Sequence, residues 1–165
     1  MSTANKWFSI RASARDVRAA EVLIFGDIGE SWFGESITAA SFVRELAQLD
    51  VDDITVRINS HGGSVSDGIA IYNALRRHKA RVTTSVEGVA ASIASLIAMA
   101  GDTVEMAENA LLMVHAPWGY SAGNAVDMRE FADLLDTWSQ AMATSYAAKT
   151  GRDVTEMLGL LTDGL

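Results

Sequence analysis

The chain has 165 residues, enough for one domain with a real core. Apolar residues make up 49% and charged residues 21%, the balance of a folded globular protein and not of a disordered one. The formal net charge of -8 argues against nucleic acid or an anionic membrane as main partner, since a phosphate-binding surface needs clustered Lys and Arg, and the lack of cysteine excludes a thiol nucleophile, a disulfide framework and a Cys-based zinc site.

The first stretch, "MSTANKWFSIRASARD", has no apolar run long enough for a signal peptide. "AEVLIFGDI", Ala20 to Ile28, reads as a strand from its Val, Leu, Ile and Phe content. Ser36 can cap a helix, and "ITAASFVRELAQL" follows with helical spacing through Ile37, Ala40, Phe42, Val43, Leu46 and Leu49. "DITVRINS" alternates, with Ile54, Val56 and Ile58 on one face, and runs into the turn "SHGGS". "SDGIAIYNALRRH" is then a helix with Ile69, Tyr72, Ala74 and Leu75 inward. The basic residues at its end, Arg76, Arg77, His78, Lys79 and then Arg81, suit a solvated helix terminus facing the negative pole of the dipole. "ARVTTSVEG" is a strand, and "GVAASIASLIAMAG", Gly88 to Gly101, is by composition a buried helix. Its uncharged run from Val89 to Ala100 is too short to span a bilayer, so a soluble cytoplasmic protein is expected.

"TVEMAENALLMVH" reads as strand, turn, strand, ending at His115. A long helical pattern runs from Asn124 to about Lys149, with Phe131, Leu135, Trp138, Met142 and Tyr146 on one stripe and Gly151 as C-cap. A short helix from about Asp153 to Leu161 follows, and the closing "LLTDGL" reads as the middle of an element. No repeat or low-complexity segment is visible, so a single domain over 1–165 is expected. Alternating strands and helices imply parallel pairing and an α/β class.

Three features can carry chemistry. "NSHGGS", Asn59 to Ser64, ends a strand before a helix, and its paired glycines leave backbone N–H groups able to meet an oxyanion or phosphate. The plainer reading is a tight strand-to-helix turn. Ser92 lies among Gly88, Ala90, Ala91 and Ala94, which allow close backbone approach. At a helix start its hydroxyl suits a nucleophile, although an N-cap serine is far more common. Ser95, one turn on, packs or bonds back into the helix. His115 ends an apolar strand, where α/β folds place chemistry, yet a satisfied core-edge histidine looks the same. His61 in the glycine turn and His78 among basic residues are poorer candidates for a base. A hydroxyl nucleophile needs a base and the base an orienting acid. The acids after His115 are Asp127, Glu130, Asp133, Asp136, Asp153, Glu156 and Asp163, and those on the long helix read as its solvated face.

In this order and spacing, "INSHGGSVSDGIAIYNAL", "VEGVAASIASLIAMAG" and "ALLMVHAPWG" resemble the Clp protease proteolytic-subunit family of serine peptidases. The resemblance runs from about Ala20 to Leu165, and "KWFSIRA" with "HAPWG" is similar to the phage-encoded head maturation protease branch. It implies a crotonase-like fold of repeated ββα units. It implies Ser92 as nucleophile, His115 as general base, and the amides of Gly63 and Ile93 as oxyanion hole. The turn with Gly62, Ser64 and Val65 would pair with an extended protein or peptide substrate. The long helix would be the family's handle between stacked rings of a homo-oligomer, with Phe131, Trp138 and Met142 suited to that interface. No cofactor and no metal is implied. The family's docking features for an ATPase unfoldase are surface pockets and carry no motif to place here.

Two positions depart from the family. His61 stands where proline is usual, which keeps the amides but loosens the turn and brings a second imidazole near the site. Aligning "KTGRDVTEMLGLLTDGL" without gaps puts Thr162 at or next to the family's Asp position, with Asp163 one residue away. Asp163 is the expected triad acid, and Thr162 the alternative. The resemblance also implies a further strand or helix beyond Leu165 that would support the acid loop. Two other readings are a catalytically weak assembly module, warranted by the uncertain acid, and a crotonase-type acyl-CoA enzyme, against which the Ser and His blocks argue.

Overall fold

The computed structural model describes residues 7–13, 16–29 and 38–163. These form two compact units, one through Met113 and one from Val114. The first is a sheet with helices in its connections. β1 (Phe8–Ala12) pairs antiparallel with β2 (Ala19–Phe25). β2, β3 (Asp53–Ser60), β4 (Arg81–Ala91) and β5 (Thr103–Met106) are then parallel in that order. β6 (Leu111–Met113) also pairs parallel with β4, further along it than β5 does. The connections hold α1 (Ala39–Ala47), α2 (Val65–Arg77) and α3 (Ile93–Ala98). This is the α/β class that the alternation predicts.

The core follows the period-2 pattern of β2 to β4. Val22, Ile24, Ile54, Val56, Ile58, Val82 and Val86 are buried, while Glu21, Arg57 and Glu87 alternate with them on the opposite face. β1 is absent from the sequence reading, because "FSIRA" is short and half polar. It is held by an aromatic cluster in which Trp7, Phe8 and Phe42 of α1 have ring centroids 4.8 to 6.0 Å apart. Ser36, the expected cap of α1, lies outside the described residues; Thr38 is the N-cap, with no side-chain cap bond.

The inward face of α2 differs from the expected one. Gly68, Ile71, Ala74 and Leu75 are buried, and Ile69 and Tyr72 only half-buried. The helix is turned so that Gly68 meets Ile93, where a Cβ at residue 68 would fall 3.2 Å from the Ile93 Cβ. The stretch "GVAASIASLIAMAG" is also only partly helical. Gly88 to Ala91 complete β4, and the helix covers six residues, all buried. Thr84, fully buried on β4, ties that short helix down by donating to the Ala98 carbonyl at 2.6 Å.

In the second unit α4 (Ala125–Thr150) and α5 (Val154–Thr162) pack together. Asn124 caps α4 in a reciprocal capping box with Asp127, and Gly151 ends it in the left-handed conformation expected of a C-cap. Met142, Ala143, Tyr146 and Ala147 of its second half are buried, whereas residues 121–130 are all exposed. The basic group after α2 is a solvated, ion-paired surface: Arg76 faces Asp102, Lys79 faces Asp50 and Arg81 faces Asp53.

Phe42 is fully buried and is the part of α1 that meets both Trp7 and Phe8. Phe42→Ala should therefore cost about 3–5 kcal/mol, read from the shift of a urea unfolding midpoint at constant slope.

Candidate active site

The glycine turn after β3 is built from a buried serine. Ser60 is 1% exposed; its hydroxyl donates to the Gly26 carbonyl at 2.6 Å and accepts from the Gly62 N–H at 3.1 Å. Gly62 and Gly63 follow with φ of 108° and 142°, in the left-handed half of the map open to glycine. The chain then bridges to Ile28, whose N–H donates to the Gly62 carbonyl and whose carbonyl accepts from the Ser64 N–H, both at 2.8 Å. In such a parallel bridge the amide between the two bonded groups points away from the partner. The Gly63 N–H is thus turned from Ile28, on an exposed residue. Ser64 then caps α2 by accepting from the Asp67 N–H.

Ser92 is where this turn meets β4. It has φ 53° and ψ -130°, and among the described residues it is the only non-glycine with positive φ. Such a conformation costs of order 1–3 kcal/mol and persists only where the surroundings over-determine it. Here they do. The Ser92 N–H donates to the Met113 carbonyl of β6 at 3.0 Å. The Ser92 carbonyl accepts from the Ser95 N–H at 3.0 Å and from the Ser95 hydroxyl at 2.5 Å. Ser95 is the back-bonding residue expected of it. The Ser92 hydroxyl caps no amide of α3, which removes the commonest structural role for a serine at this place.

Gly62 lies directly against this junction. A Cβ on it would stand 2.7 Å from the Ser92 Cβ, 2.9 Å from the Ala91 carbonyl oxygen and 3.3 Å from the Ile93 nitrogen. The fold thus brings together Gly62, Ser92 and the amide of Ile93, with Gly63 next along the turn. Ile93 is the first residue of α3, so its N–H has no acceptor one turn back in the helix. Its side chain is fully buried against Gly68 of α2. The arrangement offers a hydroxyl on a tied turn with the backbone amide that opens α3 next to it, a setting compatible with an attacking alkoxide and a stabilised oxyanion.

His115 and the expected acid lie in the second unit. His115 is half-buried and falls beyond β6, which ends at Met113, so it follows the strand and does not terminate it. The amide of the next residue, Ala116, donates to the Leu161 carbonyl at 2.7 Å. This bond fastens the segment after His115 to the end of α5, where Thr162 and Asp163 stand. Asp163 is the C-cap of α5 and is exposed. Thr162 donates its hydroxyl back to the Leu158 and Gly159 carbonyls at 3.0 and 3.2 Å. Three other acids have structural work: Asp127 in the capping box, Asp153 as N-cap of α5, and Glu156 beside Arg152 at 3.4 Å. Hydrogen bonds from the Thr155 backbone hold the Asp153 carboxyl below its usual range. Glu130, Asp133 and Asp136 are on the exposed face of α4, as expected.

Sequence reasoning missed Ser60, which shapes the glycine turn, and Asn59, whose carboxamide oxygen accepts from the Val89 N–H at 3.2 Å. "NS" before "HGG" is the only signal, and its meaning depends on pairing with β4. Among the described residues no group of three His, Asp or Glu could hold a metal ion, and no helix is long and apolar enough to cross a membrane.

Gly62→Ala places a methyl against Ser92 at a φ that side chains resist. It should abolish labelling of the protein by a serine-directed fluorophosphonate and lower stability by about 1–3 kcal/mol. Gly151→Ala is the control: it is strained at φ 73° but has nothing within 4 Å, so it should cost stability alone.

A family model described as Clp protease matches residues 15–162. The chain is 33% identical over 131 residues to ATP-dependent Clp protease proteolytic subunit 1 of Prochlorococcus marinus, covering 74% of this chain and 67% of that protein. It is 32% identical over 160 residues to the ATP-dependent Clp protease proteolytic subunit of Leuconostoc citreum, covering 92% and 77%. The protein of that name from Pleurastrum terricola is 30% identical over 133 residues, covering 79% and 67%. A family match over nearly the whole chain, together with a strained serine between a glycine turn and a buried helix, leads to one assignment: the chain belongs to the Clp protease family, serine-type peptidases of crotonase-like α/β fold.

Proposed function

We propose that the chain is a serine endopeptidase that cleaves proteins or peptides through an acyl-enzyme on Ser92. His115 takes the hydroxyl proton as Ser92 Oγ attacks the peptide carbonyl, and the Gly63 and Ile93 amides hold the resulting oxyanion. The proton passes to the leaving amine, and water, activated by the same imidazole, releases the acyl group. Asp163 orients the imidazole. Extended substrate lies along Gly62, Ser64 and Val65. The observation that carries this reading is the left-handed backbone of Ser92 with Gly62 pressed against it, a strain with no capping role to explain it.

Support for Asp163 is by position. The Ala116–Leu161 bond keeps the end of α5, where Asp163 is the C-cap, beside the segment that follows His115. Along the chain, Met113, whose carbonyl holds the Ser92 amide, lies two residues before His115. The chain works as one functional domain in the cytoplasm. "KWFSIRA" and "HAPWG" favour a phage head maturation role, in which the substrate is a scaffold or capsid protein. The exposed first half of α4, with Val126 57% and Leu134 41% exposed, supports its use as a handle between copies of the chain.

Ser92→Ala and His115→Ala should each lower peptide hydrolysis by about 10⁶-fold, and Ser92→Ala should abolish fluorophosphonate labelling. Asp163→Asn should cost about 10⁴-fold and leave residual turnover, while Thr162→Val stays near wild type. Labelling that persists in Ser92→Ala would sink the assignment. Native mass spectrometry should show a closed homo-oligomer, and monomers alone would count against the ring.

A further inference from the structure

β4 carries a change of register that β3 does not. Ile58 pairs with Val86, and the next registered pair is Ser60 with Ala90. Two steps along β3 thus match four along β4, so Glu87, Gly88 and Val89 bulge opposite Asn59. Both ends of the bulge are held from β3. The Val89 N–H donates to Asn59 Oδ1, and Gly88 leaves room for that side chain, since a Cβ there would stand 2.7 Å from the same oxygen. At the other end Arg57 grips the Glu87 carboxylate in bidentate fashion, Nε to Oε1 at 2.8 Å and Nη2 to Oε2 at 3.1 Å. The Ser85 hydroxyl donates to the same carboxylate at 3.1 Å, and Arg57 Nη1 reaches Glu21 on β2 at 3.3 Å.

The bulge lies just upstream of the nucleophile. Val89, Ala90 and Ala91 pair with Leu111, Leu112 and Met113 of β6, and the next amide is that of Ser92. A slip of one residue would turn every side chain of this segment to the opposite face of the sheet and carry Ser92 out of its turn. Lone ion pairs at this exposure contribute little, since Arg57 and Glu87 side chains are 40% and 32% exposed. A forked pair inside a network of two carboxylates and a hydroxyl is different in kind, because its geometry fixes where the backbone of both partners lies.

We propose that Arg57 and Glu87 are positioning residues for the Ser92 nucleophile: their forked pair clamps the β4 bulge and so sets the register at which Ala90, Ala91 and Ser92 reach β6 and α3. The inference rests on the reading of Ser92 as nucleophile. Neither side chain touches the reacting atoms; each acts through the strand.

The test compares wild type with Glu87→Gln, Arg57→Met and the double variant, following kcat and KM on a peptide substrate, the rate of fluorophosphonate labelling, and thermal melting. Each single change should slow kcat and labelling about tenfold at a temperature where the protein is fully folded, with KM within about twofold. The double variant should be no slower than the slower single, because the two side chains act as one device. Labelling at the wild-type rate in folded variants, or losses that multiply in the double, would overturn the proposal. If Arg57→Met does not fold, Arg57→Lys keeps the charge without the fork. It should show an intermediate rate, and a wild-type rate would overturn the proposal equally. Labelling that survives Ser92→Ala would instead remove the nucleophile reading itself, so the two failures are distinct.

Discussion

The backbone of Ser92 is the constraint around which the first unit is arranged. A serine at φ 53° is unstable by itself, and no propensity in "GVAASIASLI" would choose that conformation. It exists because the residue is tied at both backbone groups, to Met113 on one side and to Ser95 on the other. The first tie requires β6 to pair with the end of β4, and the second requires α3 to start without delay. Strand, strain and helix are therefore a single decision. The hydroxyl that results stands on a turn held at both ends, which is the preorganisation that the role proposed for Ser92 needs.

Around that turn the structure uses the absence of side chains as a building material. Gly62 permits the β3 turn to lie on Ser92, Gly68 permits α2 to lie on Ile93, and Gly88 permits Asn59 to reach into the bulge. Each contact would close with one methyl group. These glycines approach from three different elements, so the site is defined by how near three backbones come to one another. Buried polar groups then hold the approach in place: Ser60 at the turn and Thr84 at the end of α3 are both satisfied, and no buried side-chain polar atom of the described residues is left without a partner.

What could be read in the sequence follows from this. The alternation in "DITVRINS" and the Gly151 C-cap of α4 are local, since period-2 burial and a glycine stop depend on neighbours within a few residues, and both were legible; the Asn124–Asp127 capping box, equally local, emerges only from the structure. So was the small-residue run around Ser92, though composition presented it as helix throughout. Gly88 to Ala91 are strand because β6 supplies a partner ladder, a long-range fact that apolar periodicity does not contain. β1 was invisible for the same reason: its five residues are stabilised by Trp7, Phe8 and Phe42 meeting across the fold. The buried face of α2 departs from the one apolar spacing picks out, because Gly68 carries no hydrophobic weight in a periodicity count yet lies against Ile93.

The polar face of the sheet completes this logic. Arg11, Glu21, Arg57 and Glu87 stand on successive strands β1 to β4, and Arg57 is drawn to two carboxylates at once. Hydrogen bonds from Arg57 hold the Glu87 carboxyl below its usual range, and the two carboxylates raise Arg57 in turn. A lowered carboxyl favours the folded state above the unfolded pKa, and the benefit is lost as pH falls through the folded value. The apolar face of each strand specifies only that it be buried, which successive registers two residues apart satisfy equally well. A charge ladder across four strands distinguishes those registers, because moving one strand separates every pair it joins. Burial thus decides which face is inward, and the ion pairs decide which residue stands opposite which. For a strand whose end must deliver one serine to one turn, the second decision is the more demanding.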